Sequence, residues 1–127
     1  MRVLVAGWFS FEEGHATAGD LLACELVCDW LEEAGHSYEV ALAPPFTGGV
    51  DWRWVDPAAY PAVVFVCGPF GRGALEAEFL GQFAGSKVIG LDLTMIESVG
   101  SWNPFDALIE RDSTVRSRPD IIFLSRR

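Results

Sequence analysis

Positive charge is what this sequence has least of: 9 lysines and arginines stand against 18 aspartates and glutamates in 127 residues, a net charge of −9. A surplus of that sign repels phosphate-rich polymers at long range, so it argues against nucleic acid and anionic membrane surfaces as partners. Long apolar runs are missing too. None approaches the roughly 20 residues that span a bilayer, and the opening segment runs straight into Trp8 without a signal-peptide core and cleavage site. The expectation is a soluble, cytoplasmic chain. Histidine is limited to His15 and His36, and cysteine stops at 3. That odd count, with Cys24 and Cys28 one helical turn apart in an apolar pattern, points to reduced, packed thiols, and too few soft ligands remain to close a zinc site. Gly-x-Ser-x-Gly, a Walker loop and His-Glu-x-x-His are absent, and the first loop holds no Gly-x-Gly-x-x-Gly. Neither metal nor cofactor is expected.

What is present is a 50% hydrophobic chain of one-domain length, with core enough for a single unit over residues 1–127 and no room for a second. Residues 2–6 form a β-branched apolar run without polar alternation, the pattern of a strand buried on both faces. Asp20 is placed to cap a helix whose apolar positions Cys24, Val27, Cys28 and Leu31 follow three-and-four spacing, with Gly35 as its stop. Residues 38–42 give a second strand, halted by Pro44 and Pro45. After a long connection, residues 62–66 give a third strand, and 74–83 a helix. A fourth strand is expected over 87–91, a short helix over 104–110, and a fifth strand over 120–124. Alternation of this kind predicts a three-layer, Rossmann-like α/β domain with a mostly parallel five-stranded sheet and right-handed crossovers. Ligands of such sheets bind beyond the carboxyl ends of the strands. Loops 7–19 and 67–73 then flank one crevice, with 92–100 as its far wall.

The first loop, Gly-Trp-Phe-Ser-Phe-Glu-Glu-Gly-His-Ala-Thr-Ala-Gly-Asp, is long for a strand-to-helix turn, a length that often carries function. With Asp20 at the cap and Glu12 and Glu13 nearby, its acidity disfavours a phosphate cradle. His15, beside those carboxylates, can serve as a general base or stand as a solvated loop histidine. Asp20 can cap a helix or assist catalysis. The turn Gly68-Pro69-Phe70-Gly71-Arg72-Gly73 can admit a ligand to its backbone, with Arg72 pairing an anion, or can be a tight turn needing positive φ. Trp8, Phe9, Phe11, Trp52, Trp54 and Phe70 can stack on sugar rings or cover the ends of the sheet. Arg116 and Arg118 form a local basic patch that is a solvated face or meets another domain.

Three segments carry a resemblance. The opening strand followed by Gly7-Trp8-Phe9-Ser10-Phe11-Glu12 and Ala16-Thr17-Ala18-Gly19-Asp20-Leu21-Leu22 is similar to the start of the polysaccharide pyruvyl transferase family, where an Asn-x-Gly-Asp type signature opens the first helix. Val66-Cys67-Gly68-Pro69-Phe70-Gly71 resembles its glycine-rich loop, and Ile109-Glu110-Arg111-Asp112-Ser113 its Arg-Asp segment. Thr17 stands where the family has asparagine, and Pro69-Phe70 interrupts the usual glycine run. The likeness covers nearly all of this chain but only the amino-terminal half of a family member.

Family members resemble two-domain B-type glycosyltransferases and move the enolpyruvyl part of phosphoenolpyruvate onto a sugar as a ketal. The resemblance thus implies the amino-terminal, acceptor-side domain of a transferase acting on a sugar or glycan, inactive by itself, with a second domain or a homodimer as possible partner. It turns His15, Asp20, Gly68, Gly71 and Arg111 toward the cleft. His15 and Asp20 are the candidate catalytic residues, and Trp8, Phe11, Gly14, Thr17, Gly19, Gly68, Phe70, Gly71, Arg72 and Arg111 the candidate substrate contacts. The alternatives are a small nucleotide- or flavin-binding module and a noncatalytic α/β interaction domain.

Overall fold

A computed structural model describes residues 1–12 and 14–111. In chain order the elements are β1 (Arg2–Ala6), α1 (Ala18–Glu33), β2 (Ser37–Val40), β3 (Ala62–Phe70), α2 (Ala74–Gln82), β4 (Lys87–Met95) and β5 (Ala107–Glu110), with short 3₁₀ turns at Trp8–Ser10 and Pro57–Ala59. The five strands form one all-parallel sheet in the order β2-β1-β3-β4-β5. The domain is a small Rossmann-like α/β fold.

The apolar runs of β1 and β3 are buried because each face of the sheet is covered. Val3, Val5, Val64 and Val66 pack with Cys24, Val27 and Cys28 of α1. The alternate residues Leu4, Ala6, Val63 and Phe65 pack with Phe79 of α2 and with Phe11, Trp52, Tyr60 and Phe83. This period of two splits the core into two layers around the central strands. All three cysteines are free and buried. The Cys24 thiol is pushed up by its hydrogen bond with Cys28 and by burial.

Several elements differ from the sequence reading. Helix α1 is capped by Thr17, and Asp20 sits at the third helical position: Asp20 N–H donates to Thr17 Oγ1 (3.3 Å), and Thr17 N–H donates to Asp20 Oδ2 (2.8 Å). This reciprocal box satisfies two backbone donors where a lone Asp20 cap satisfies one. Strand β2 ends at Val40, because Leu42 N–H turns away to bond Val50 O. The helix expected over 104–110 does not form, and Ala107–Glu110 is the strand β5 instead. Val88 N–H donates to the Asp106 carboxylate and Asp106 N–H to Val88 O, which pins the chain along β4 and starts β5. Pairing to an open sheet edge outweighs the weak helix propensity of so short a run. The fifth strand expected over 120–124 lies outside the described residues, as does the basic patch at Arg116 and Arg118. Strands β3 and β4 each run four residues past the expected ends, to Phe70 and Met95. They do so through an irregularity at Cys67 and Asp92: the pairing steps from Val66↔Leu91 to Gly68↔Leu93, and the β4–β5 register shifts at the same rung. No described helix is long and apolar enough to cross a membrane.

Candidate functional site

The chain reverses its direction of travel across the sheet between β1 and β3, whose loops therefore part at their carboxyl ends. A cleft of about 500 Å³ opens there, lined by residues of the β1 loop and the start of α1, by Cys67, Gly68 and Pro69 of β3, and by Arg111 just beyond β5. Size and position both suit a small ligand.

The first half of the β1 loop is anchored. Gly7 N–H donates to Ser10 Oγ (3.1 Å), Ser10 Oγ donates to Ala41 O (2.6 Å), and Trp52 Nε1 donates to Ser10 O (3.2 Å). Phe9 and Phe11 are consequently buried in the two core layers. Trp8 stays at the cleft. Its Nε1 donates to Pro69 O at 2.7 Å, and its ring meets Phe11 and Phe65 edge-on at 5.1 and 6.1 Å. Two glycines make that position possible. A Cβ on Gly14 would stand 1.9 Å from Trp8 O, and one on Gly68, already at φ +89°, would stand 2.8 Å from Trp8 Cδ1.

Polar groups from four elements meet at the cleft. Asp20, buried at the start of α1, is held by Thr17 N–H. Arg111 donates from Nη2 to Cys67 Sγ at 3.2 Å and grips Asp92 through Nε (3.0 Å) and Nη2 (2.7 Å). Burial and the Asp20 carboxylate push the Cys67 thiol up to about 12, with Arg111 pulling the other way. Asp92 raises the Arg111 guanidinium, which stays charged.

Backbone conformation marks the same corner. Among the described residues the non-glycines at positive φ are His15 (53°), Cys67 (71°) and Asp92 (59°). His15 and Cys67 line the cleft, and Asp92 holds Arg111. Each left-handed non-glycine costs on the order of 1 kcal/mol, and such costs concentrate at ligand sites, where surrounding structure over-determines the backbone.

Of the residues nominated from sequence, Trp8, Gly14, His15, Thr17, Gly19, Asp20, Gly68 and Arg111 line the cleft. Phe11, Phe70, Gly71 and Arg72 do not. Phe11 and Phe70 are core side chains, the latter against Phe65 and Phe105 at 4.9 Å each. Gly71 N–H donates to Glu76 Oε2 (3.1 Å), so a carboxylate from the first turn of α2 occupies the glycine turn, which favours the tight-turn alternative over a ligand at its backbone. Arg72 is spent on Glu97 (2.5 Å) and lies over the Trp102 ring at 5.1 Å. The extension of β3 carries Gly71, Arg72 and Gly73 past the crevice, and Arg111 supplies the wall that loop 92–100 was expected to form. Cys67 and Pro69, within the loop expected to flank the crevice but not among the nominated contacts, also line it. The cysteine ends a buried apolar run and reads as core, because its positive φ leaves no trace in composition.

Chemically, the cleft offers an acceptor in Asp20, a donor in Arg111, the Thr17 hydroxyl, the His15 imidazole and one indole ring. Arg111 is the only lysine or arginine among the lining residues, and Asp92 already neutralises it. No group of three histidine, cysteine, aspartate or glutamate side chains fit to hold a metal occurs among the described residues. Comparison with protein-family models, curated proteins and solved structures finds no match for this chain.

Proposed function

We propose that the domain is the acceptor-side half of a polysaccharide pyruvyl transferase-like enzyme, its cleft holding a sugar or glycan that receives the enolpyruvyl group of phosphoenolpyruvate. The observation carrying this reading is convergence. His15, Asp20, Gly68 and Arg111, four of the five residues that the resemblance turns toward the cleft, come from three distant segments and line one cavity. Electrostatics support the same ligand class: one carboxylate and one neutralised guanidinium favour an uncharged polyhydroxyl over an anion. In this reading Asp20 orients a pair of acceptor hydroxyls and His15 relays their protons as both oxygens bond to C2 of phosphoenolpyruvate: the C2–O bond to phosphate breaks, one proton ends on C3 and the other on the departing phosphate. Trp8 packs against the sugar ring. Phosphoenolpyruvate, an anion, is held by a part of the enzyme outside these residues.

Calorimetric titration with a panel of neutral glycans, with and without phosphoenolpyruvate, tests the proposal. Glycan binding that Trp8→Ala and Asp20→Asn each abolish is the expected result. No response to any glycan under either condition overturns it. A nucleotide or flavin module has the strand order in its favour, since β2-β1-β3-β4-β5 is also the order of flavin-binding doubly wound sheets. Glu76 in the glycine turn and Asp20 at the start of α1 oppose it. A thermal shift with nucleotides but not glycans selects that second reading.

A further inference from the structure

Asp92 does not line the cleft, yet it holds Arg111, which does. Its place follows from the irregularity in β4. Side chains alternate along a strand, so in a regular β4 Val88, Gly90 and Asp92 would share the face that packs on Phe105 and Leu108. A carboxylate there would be buried among apolar groups. Instead β4 carries one residue more than β5 at this point: Leu91 pairs with Ile109 and Leu93 with Glu110. Leu93, fully buried, takes the core position, and Asp92 is released from it at φ 59°. Arg111 N–H donates to Leu93 O, so the backbone beside the irregularity places both partners.

The pair leaves part of the guanidinium unused. Nε–H and one N–H of Nη2 go to Asp92 at 3.0 and 2.7 Å, the other N–H of Nη2 goes to Cys67 Sγ at 3.2 Å, and no described residue accepts from Nη1. The Arg111 side chain is half exposed at the cleft wall. Exposed ion pairs between two flexible arms are weak, but a two-point contact whose ends are set by the backbone incurs little of that ordering cost. A ligand oxygen therefore meets an N–H donor whose charge is already offset. A hydroxyl accepts that bond readily. A carboxylate gains no counter-charge against its own desolvation, and it faces the Asp20 carboxylate besides.

We propose that Asp92 is a positioning residue that determines specificity: its two-point hold on Arg111 makes that guanidinium a neutralised donor, so the cleft takes the uncharged form of a sugar and turns away the carboxylated, uronate form. This rests on the sugar-binding reading for the identity of the ligand, but the masking of Arg111 is testable without one.

Asparagine isolates the charge, because it keeps the shape and an acceptor oxygen and tolerates positive φ as aspartate does. Glycine tolerates that φ and removes the side chain altogether. The first measurement follows the ¹⁵Nε–H resonance of Arg111, identified by its loss in Arg111→Lys, during titration with acetate, a bare carboxylate. Wild type is expected not to respond, and Asp92→Asn and Asp92→Gly to shift saturably at millimolar acetate. A wild-type signal that moves as the variants' signals do, or variants that stay silent, overturns the proposal whether or not any sugar binds.

The second measurement is calorimetry with the neutral glycan of highest affinity and with its uronate counterpart, in which a hydroxymethyl group is replaced by a carboxylate. Wild type is expected to prefer the neutral form by about tenfold or more, and Asp92→Asn to bind the two within about threefold or to prefer the uronate. Partial unfolding does not imitate that result, since it weakens both ligands alike. Equal binding of the two by wild type, or an unchanged preference in Asp92→Asn, overturns the selectivity. If wild type binds neither, the sugar-binding reading falls, and the acetate titration decides the role of Asp92 alone.

Discussion

The indole N–H of Trp8 donates to the Pro69 carbonyl across 2.7 Å, joining residues 61 positions apart and closing the β1 loop onto the end of β3. The bond and the ring contacts behind it are separable. Trp8→Phe keeps an aromatic surface and deletes the donor, so it is expected to destabilise the fold by about 1 kcal/mol. Trp8→Ala also opens a gap beside Phe11 and Phe65 and is expected to cost clearly more. Urea unfolding of the two variants checks the order. Equal losses would show that the ring contacts contribute nothing beyond the hydrogen bond, and a Trp8→Phe variant as stable as wild type would show that the bond itself contributes nothing.

The box at the start of α1 makes a prediction of the opposite kind. Thr17→Ala removes the acceptor for Asp20 N–H and is expected to cost about 1 kcal/mol, within the usual range for a lost cap. Thr17→Asn supplies an equivalent cap. Its urea midpoint is expected to match wild type, and a loss as large as that of Thr17→Ala would contradict the capping assignment.

Two glycines at the cleft should respond oppositely to alanine. Gly68 is at φ +89° with Trp8 Cδ1 in the way, so Gly68→Ala is expected to lose about 1–3 kcal/mol and to displace the Trp8 indole N–H resonance. Gly19 lies in the first turn of α1, where the nearest atom to an added Cβ is Thr17 Oγ1 at 3.6 Å. Gly19→Ala should leave stability unchanged or raise it by up to about 1 kcal/mol. As it lines the cleft, the same change is expected to weaken glycan binding by steric exclusion.

Stability should fall at both ends of the pH scale through one shared pair. Hydrogen bonds from Tyr60 and Arg2 hold the Glu39 carboxyl below the usual carboxylate range. A depressed folded value means stability that is present above the unfolded pKa of about 4.3 and lost as pH falls through the folded one. Burial, then Glu39, pushes the Tyr60 hydroxyl up to about 12. A raised folded value means stability that is present below about pH 10 and lost as pH rises toward 12. Cys67, also pushed up to about 12, adds a loss that begins nearer pH 9. Unfolding midpoints across pH should show both flanks. Tyr60→Phe should shrink the acid flank and reduce the alkaline one to the share of the other raised groups, Cys67, Cys24 and Tyr38, whereas an unchanged profile would separate Glu39 from the acid loss.

The parts of the fold legible in the sequence are those whose signals are local. The unbroken apolar runs in β1 and β3 announce strands covered on both faces, and the three-and-four spacing of Cys24, Val27, Cys28 and Leu31 announces α1. The capping box was equally present, as Thr17 three residues ahead of Asp20, but reading Asp20 as the cap itself shifted it by one turn. Strand β5 was not legible, because Asp106 acquires its meaning only when β4 lies alongside. The same holds for the cleft. Loop length and resemblance led to Trp8, His15, Asp20 and Arg111, yet Phe11 enters the core with the anchored β1 loop, and Phe70 and Arg72 go elsewhere because β3 runs on past the irregularity at Cys67.

The buried Glu76 has a consequence for competition. Its carboxylate is tethered five residues from the Gly71 amide it accepts from, so that amide faces an internal rival at an effective concentration on the order of millimolar or above. A free phosphate at micromolar levels would have to bind that amide about a thousandfold more tightly than the tethered carboxylate does in order to displace it. The turn is thus guarded against dilute phosphate ligands by its own neighbour, in addition to the protein's net charge.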